Sequence, residues 1–198
     1  MMRPNVRRLL PLSILAVSAL LLASLAQAQV AAPASPPPTL RSILLSQLRS
    51  THNHAEWFVP IDTAVAGLTA DQAKWVPKNA AGQIDPDANH SVGMLTWHLL
   101  FWNQRALARL KGEPVPPAPS SNDETFNDFN PASWNQTLHD LDAVLTQLED
   151  LVASADDATL EKIAPAIEHI STHNAYHTGQ ILYVRKLQGS WNPKNGVS

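Results

Sequence analysis

Three histidines recur at four-residue intervals in the segment HISTHNAYHTGQI, which spans residues 169–181. Each step of four residues turns an α-helix by about 400°, so His169, His173 and His177 share one helical face. Adjacent members of such a row can direct two imidazoles at one metal ion, whereas the outer two lie about 12 Å apart along the helix axis. The spacing therefore predicts a metal site that uses one adjacent pair. The alternative is a histidine-bearing helix face without a ligand.

A third ligand is offered by the segment SVGMLTWHLLFWNQR, in which His98 belongs to an apolar stripe. An unpaired imidazole is an awkward core residue, because burying a polar group without a partner is costly. If the two segments form antiparallel helices, His98 and His177 lie at depths that differ by about one turn, roughly 6 Å. This geometry selects His98, His173 and His177 as the predicted ligands and leaves His169 at the edge of the site.

These two segments resemble the second-helix and final-helix motifs of the DinB-like four-helix-bundle proteins, and LTADQAKWVP resembles the connection after their first helix. The resemblance covers most of residues 40–189. It implies that His98, His173 and His177 bind one divalent metal, namely zinc, nickel or iron. Many members have Arg where this chain has Thr178, which removes a candidate anion contact.

For the function, the resemblance implies a metal-dependent hydrolase or transferase that acts on a small molecule. A non-catalytic metal-binding protein or a plain helical interaction domain is the alternative. Metal binding requires deprotonated imidazoles, so metal loss is expected below about pH 6.

Other residues are candidates for supporting roles, and the catalytic residues stay unassigned. His54 and Glu56 could line the mouth of the site or belong to a polar helix face, and Glu56 is the one candidate general base. Gln180 could hydrogen-bond a ligand histidine or face solvent. His52, His90 and His139 are interpreted as ordinary surface or cap residues. Five aromatic residues could wall a pocket or fill the core: Trp57, Trp97, Trp102, Trp134 and Tyr176.

The residues that position these side chains fall into four amphipathic segments separated by Pro- and Gly-rich connections. A short helical turn is also predicted at residues 70–73. The four predicted helices run from Thr39 to Gly67 with a kink or division at Pro60, from Ser91 to Gly112, from Asn130-Pro131 through Val152, and from Pro165 to Leu187 before Gly189.

No strand pattern competes with these helices, and none of them can bury its apolar stripe alone, which predicts an all-α four-helix bundle. Residues 113–130 form a Pro-, Ser- and Asp-rich loop that is long enough to cross the bundle. Helix 3 is therefore expected to run parallel to helix 2, in an up-down-down-up arrangement.

The first 28 residues have the pattern of a secretory signal peptide, with three arginines, an apolar run and an Ala-Gln-Ala cleavage site. An uncleaved membrane anchor is the rival interpretation. Residues 29–38 are predicted to be a linker, residues 39–189 the bundle and residues 190–198 a tail. The protein is therefore expected to be periplasmic or secreted, without a stable membrane anchor after cleavage.

Charge bears on the choice of partner. Removing the three leader arginines from the 14 basic residues leaves 11 basic against 17 acidic residues, a net charge of −6 with histidine neutral. Nucleic acid is disfavoured as a partner, because its binding depends on clustered basic charge. A small-molecule substrate is expected, and a homodimer is left open.

Overall fold

The described residues, which in this computed structural model are 36–84, 90–115 and 117–196, form seven α-helices and two short 3-10 helices and contain no strand. The predicted signal peptide and most of the predicted linker lie outside them. None of the helices in this part of the chain combines the length and the apolar composition that a membrane span requires. The helices are Leu40–His52 (α1), Ile61–Val65 (α2), Ala70–Ala73 (α3), Val92–Lys111 (α4), Glu124–Asn127 (α5), Trp134–Ser154 (α6) and Asp157–Gln188 (α7).

The first predicted helix is shorter than its sequence pattern indicates. α1 begins after Thr39, whose side chain accepts a hydrogen bond from the backbone of Ser42, and it ends at His52 rather than at Gly67. Pro60 divides the segment and directly precedes the five-residue helix α2. Proline fixes its own φ and disfavours the helical conformation of the residue before it, so the chain restarts a helix after Pro60 instead of continuing one through it.

The bounds of the second predicted helix are confirmed. The side chain of Ser91 accepts a hydrogen bond from the backbone N–H of Met94 at the start of α4. Gly112 follows the last residue with a φ of 72°, the left-handed conformation that glycine adopts without strain. α4 is therefore held at both ends by local interactions. The short turn predicted at residues 70–73 is confirmed as α3.

The fourth predicted helix begins earlier than expected. Asp156 caps α7 by accepting a hydrogen bond from the backbone N–H of Thr159, and Pro165 lies inside the helix rather than in its first turn. The prediction that Pro165 opens this helix is wrong. Proline removes one backbone hydrogen bond to the carbonyl four residues earlier, and both Pro165 and Glu161 are exposed, so solvent can satisfy that carbonyl.

Four long helices pack around one core, which confirms the all-α bundle. α4 packs against α6 and α7, and α1 packs against the same two helices. Each long helix contributes a side chain that is no more than 1% exposed, and these are Leu48, Leu99, Leu148 and Ile167. Burying one such side chain contributes about 1.5–3 kcal/mol.

The pairing of α4 with α7 sets the geometry of the site. Asn103 hydrogen-bonds Asn174, while the ring of His98 contacts the ring of His177. Residue numbers rise along one helix as they fall along the other, so the two helices are antiparallel. This direction is consistent with the predicted up-down-down-up order.

The residues after α7 are packed against the bundle. Trp191 is 8% exposed, and its ring lies under the guanidinium of Arg185. Arg185 also donates hydrogen bonds to the carbonyls of Ala64, Ala66 and Ser190. One buried cation thus joins α2, the end of α7 and the predicted tail.

Candidate metal centre

The three predicted ligands lie together between α4 and α7. His98 comes from α4, whereas His173 and His177 lie one turn apart on α7. The candidate ligand atoms of the three side chains are all within 4.8 Å of one another. His98 is 1% exposed, His177 is 7% exposed and His173 is half-buried. The cluster could hold a metal ion, and it opens toward solvent on the side of His173.

The spacing of the ring nitrogens fits a tetrahedral ion. Nε2 of His98 lies 3.1 Å from Nε2 of His173. Two nitrogens of a tetrahedral site with metal–nitrogen bonds of 2.0–2.1 Å are about 3.3 Å apart. The ring of His177 lies 4.6 Å, centroid to centroid, from each of the other two rings. The distance between the His98 and His173 nitrogens is therefore one that a tetrahedral metal ion could bridge.

A hydrogen bond from the crossover loop sets the tautomer of His98. Oγ1 of Thr125, a residue of α5, lies 2.6 Å from Nδ1 of His98. The hydroxyl donates its single proton to the carbonyl of Asn122, also at 2.6 Å. Thr125 must therefore accept from His98, which places the imidazole proton on Nδ1 and leaves the lone pair of Nε2 facing the cluster.

A hydrogen bond with Gln180 sets the tautomer of His177. The side-chain oxygen of Gln180 lies 2.6 Å from Nδ1 of His177, and an amide oxygen only accepts, so the imidazole donates. The amide nitrogen of Gln180 in turn donates to the hydroxyl of Tyr176. Of the two alternatives left open for Gln180, the hydrogen bond to a ligand histidine is the one found. Two of the three Nε2 atoms are thus held ready to bind a cation.

The cluster is shielded by Phe126, the neighbour of Thr125 in α5. Its ring stacks on His98 with centroids 4.1 Å apart and an interplanar angle of 3°. Phe126 is itself 6% exposed. The loop that follows α4 therefore covers the inner side of the site. Neither Thr125 nor Phe126 was identified from the sequence, because no motif or period marks them.

Burial keeps all three imidazoles neutral. Desolvation lowers the pKa of His98 to about 3, with smaller contributions from the neighbouring histidines. Desolvation and the proximity of His177 lower the pKa of His173 to about 4. The pKa of His177 is also lowered by burial, although its hydrogen bond with Gln180 opposes the shift. Neutral imidazole is the form that binds metal ions.

A buried amide pair fixes the register of the two helices that carry the histidines. Asn103 donates to Asn174 at 2.8 Å, and Asn174 donates back at 3.3 Å. The two residues are 2% and 1% exposed. A slide of one helix along the other would leave these amides buried and unpaired, which is costly. The pair therefore holds His98 level with His173 and His177.

His169 is excluded from the cluster. Its side chain is 88% exposed and lies 3.2 Å from the carboxylate of Glu168. His54 and Glu56 are exposed as well, and neither belongs to the cluster or lines a cavity beside it. His139 is exposed, as predicted.

The aromatic candidates have separate locations. Trp57 is 97% exposed, whereas Trp134 is buried in the core. Trp102 and Tyr176 each line a cavity next to the cluster. Trp97 packs at the edge of the core. Of the predicted wall residues, only Trp102 and Tyr176 adjoin the site.

Two histidines interpreted as surface residues are buried or partly buried. His90 is partly buried, contacts the ring of Phe126 and lines a cavity with Tyr176 and Gln180. Burial lowers its pKa, although Asp123 opposes the shift. Of the two interpretations given for His90, the surface residue is wrong, whereas the cap residue is correct, because His90 directly precedes the N-cap Ser91. The position of His90 two residues before α4 brings it under the crossover loop, a contact that no local pattern predicts.

His52 is the second correction, since it is only 1% exposed. Together with Asp62 and Asp142 it forms another group whose ligand atoms lie within 4.8 Å. Nδ1 of His52 lies 2.7 Å from Glu149, and Nε2 lies 2.9 Å from Asp142. Both ring nitrogens thus contact carboxylates of α6, so this imidazole joins α1 to α6.

Two cavities adjoin the histidine cluster, each with a volume of about 430 Å³. One lies along α4 and α7 and has His173 and Trp102 in its wall. The other is lined by His90, Tyr176 and Gln180. Both have the size of small-molecule sites, which are usually about 300–1,000 Å³.

Comparison with known proteins agrees with the geometry of the site. No significant match to the chain is found among the curated proteins or the solved structures. The sequence profile of the DinB superfamily matches residues 61–181, more than half of the 198 residues. The matched region includes His98, His173 and His177, and the chain belongs to the DinB superfamily.

Proposed function

We propose that this protein is a secreted metal-dependent enzyme, a hydrolase or transferase that acts on a small molecule. His98, His173 and His177 would hold one divalent ion such as zinc, nickel or iron. The observation that carries the proposal is the set of three neutral imidazoles, two of which have tautomers fixed by outer hydrogen bonds, while the third, His173, lies in the wall of a cavity. A purely structural metal site usually has four protein ligands, which leave no coordination position open for a substrate. Such a site therefore does not need an adjoining cavity.

The chemistry of the donor set fits such an ion. Three neutral ligands leave the full double charge on the cation, so when bound it acts as a Lewis acid that polarises a carbonyl or activates a water molecule. The protein's own side chains do the rest of the work. Thr125 and Gln180 hold two rings in the ligand tautomer, and Phe126 keeps water from the inner side.

Neither Glu56 nor His90, the two candidates for moving a proton, lines the cavity that contains His173. Glu56, the candidate base from the sequence, lines neither cavity beside the cluster, whereas His90 lines one of them together with Gln180. Burial lowers the pKa of His90, so at neutral pH its imidazole is free to accept a proton. His90 is separated from His98 by the ring of Phe126, and the cavity that His90 lines contains none of the three candidate ligands, so the general base stays unassigned.

The proposed location depends on the leader sequence. Cleavage after Ala28 would release a chain that begins with Gln29. The test is N-terminal sequencing of the protein recovered from the periplasm or the medium. A full-length chain that stays in the membrane fraction would contradict secretion.

Metal binding is tested by elemental analysis of the signal-free protein. Wild type is expected to contain about one divalent ion per chain, and His98→Ala is expected to lose it. The matched control is His169→Ala, an exposed histidine on the same helix as His173, which should keep the ion. Equal metal content in wild type and His98→Ala would overturn the site.

Catalysis is tested on the same preparations with chromogenic esters such as p-nitrophenyl acetate. Turnover is expected in the metal-loaded protein, with loss after chelation and in His98→Ala. Retained metal without chelator-sensitive turnover on any of the esters would overturn the enzyme proposal and favour a non-catalytic metal-binding protein.

A further inference from the structure

The cavity that contacts His173 is a groove between two antiparallel helices. Its walls come from α4 and α7, with one short contribution from the crossover loop at Asn122. On α4 the lining residues extend from Trp102 to Leu110, and on α7 they extend from Ala166 to His173. Seven residues of helix span about 10 Å. The groove therefore extends about 10 Å along the two helices, and His173 of the histidine cluster lies at one end of it.

The opposite end of the groove carries a positive charge. Arg109 lies seven residues after Trp102 on α4, which is about 10 Å along the helix axis. Because α4 and α7 are antiparallel, Arg109 is level with Ala166 of α7. The Arg109 side chain is exposed. None of the described residues that line the groove is acidic. This local excess of positive charge contrasts with the protein as a whole, whose formal net charge is −3.

The middle of the groove is apolar. Between its two ends it is lined by Ala106 and Ile170, while Leu110 and Ala166 continue the apolar lining to the level of Arg109, and Trp102 lies beside His173. His169 is the one polar residue of this middle part, on its solvent side. Such a surface favours an extended hydrocarbon body, since contact with apolar atoms is worth about 25 cal/mol per Å² removed from water.

We propose that this groove binds an elongated amphiphilic anion, a medium-chain molecule with a carboxylate at Arg109 and its reacting group at the histidine cluster. An extended chain covers about 1.2 Å per bond, so a span of about 10 Å corresponds to roughly eight bonds. Arginine suits the anionic end because its planar guanidinium can donate two parallel hydrogen bonds to a carboxylate. The inference rests on the proposed function and names the substrate class of that same site.

The first experiment measures binding of octanoate by calorimetry, to the protein as isolated and after chelation. Arg109→Gln is expected to weaken binding to the chelated protein about tenfold, the effect of losing one charge-assisted interaction. Arg109→Lys should stay within about threefold of wild type. Octanamide, which has the same chain without the charge, should bind wild type and Arg109→Gln within about twofold of each other.

Two controls locate the effect in the groove. Lys111→Gln removes a cation at the end of the same helix that faces Gln147 of α6 rather than the groove, and it should leave octanoate binding unchanged. Butyrate is too short to cover the apolar middle and should bind at least about tenfold more weakly than octanoate. Absence of octanoate binding, or equal binding by wild type and Arg109→Gln, would overturn the proposal.

The second experiment tests whether the two ends act together, using 8-mercaptooctanoate, whose thiol is a metal ligand. It should bind the metal-loaded protein more tightly than octanoate does, and His98→Ala should abolish that advantage while the dependence on Arg109 persists. If 8-mercaptooctanoate binds the metal-loaded protein no more tightly than octanoate does, the groove does not lead to the histidine cluster and the proposal is overturned. If the purified protein contains no metal, the proposed function is overturned instead. Octanoate binding to the chelated protein tests the groove separately from the metal.

Discussion

The hydroxyl of Thr125 lies 2.6 Å from Nδ1 of His98 and joins the loop after α4 to the deepest of the candidate ligands. Because the hydroxyl proton is donated to the carbonyl of Asn122, the imidazole must donate to the hydroxyl. A single side chain outside the cluster thus determines which nitrogen of His98 can bind a cation.

We expect Thr125→Val to lower metal affinity by about 10- to 100-fold, the usual effect of removing an outer hydrogen-bond partner of a ligand histidine. The substitution keeps the shape of the side chain and removes the hydroxyl, which is both the acceptor for His98 and the donor to the carbonyl of Asn122. Thr125→Ser retains the hydroxyl and should bind metal nearly as well as wild type. Competition against a chromophoric chelator measures both affinities, and equal values for Val and wild type would show that the hydrogen bond does not matter.

A second expectation concerns the amide pair that links α4 and α7. Asn103→Leu leaves the amide of Asn174 buried without its partner, which should cost about 1–3 kcal/mol of unfolding free energy. The double variant Asn103→Leu, Asn174→Leu should cost less than the sum of the single variants, because no amide is left unpaired. Urea denaturation of the four proteins gives the coupling energy, and strictly additive effects would contradict a direct pair.

Helical periodicity and the apolar stripe of α4 predicted that His98, His173 and His177 lie together, and Gln180 was identified as a possible partner of a ligand histidine, but Thr125 was not identified. His173 and His177 are one helical turn apart whatever surrounds them, and antiparallel packing then fixes the depth at which His98 meets them. The partner of His98 comes from a loop 27 residues further along the chain. A loop has no periodicity from which its path can be derived, so Thr125 could not be identified from the sequence.

The errors in the sequence interpretation have the same physical origin. His52 looks like a polar residue at a helix end, and its burial depends on Glu149, which is 97 residues away in sequence. Pro165 looks like a helix start, yet the acidic cap at Asp156 begins the helix two turns earlier. In both cases a tertiary partner or a stronger capping signal outweighs the local pattern.

Acid should destabilise the metal-free protein. Burial lowers the pKa of His98 to about 3 and that of His173 to about 4, whereas an unfolded histidine titrates near 6.5. Between these values the unfolded state binds more protons than the folded state, so the unfolding free energy falls as the pH falls from about 6.5 toward 4. Each histidine contributes a slope of up to about 1.4 kcal/mol per pH unit.

Urea denaturation of chelated protein at pH 7, 6 and 5 measures this slope, and His98→Ala should reduce it. The same low pKa values predict that the protein still holds its metal at pH 5. Ligand histidines with an ordinary pKa would lose the metal below about pH 6. The difference arises because a proton displaces the ion only at a pH where the folded imidazole can be protonated. Metal loss that begins at pH 6 would contradict the low pKa values.

The last prediction concerns the contact by which the crossover loop meets α4. A Cβ placed on Gly93 would overlap three carbons of the Phe129 ring. That ring also packs edge-on against Trp134, with centroids 5.9 Å apart, so it has little room to move. Gly93→Ala should therefore lower the unfolding free energy by about 1–3 kcal/mol, as overpacking does, despite the better helix propensity of alanine.

Gly179→Ala is the matched control, since this glycine is also helical and a Cβ there meets no atom within 4 Å. It should raise the unfolding free energy by up to about 1 kcal/mol, the difference in helix propensity. Because Phe129 follows α5 closely, Gly93→Ala should also weaken metal binding by displacing Thr125, whereas the control should not. Stabilisation by Gly93→Ala would mean that the loop can move away from α4 at no cost, and the loop would then be too loose to hold His98 in the ligand tautomer.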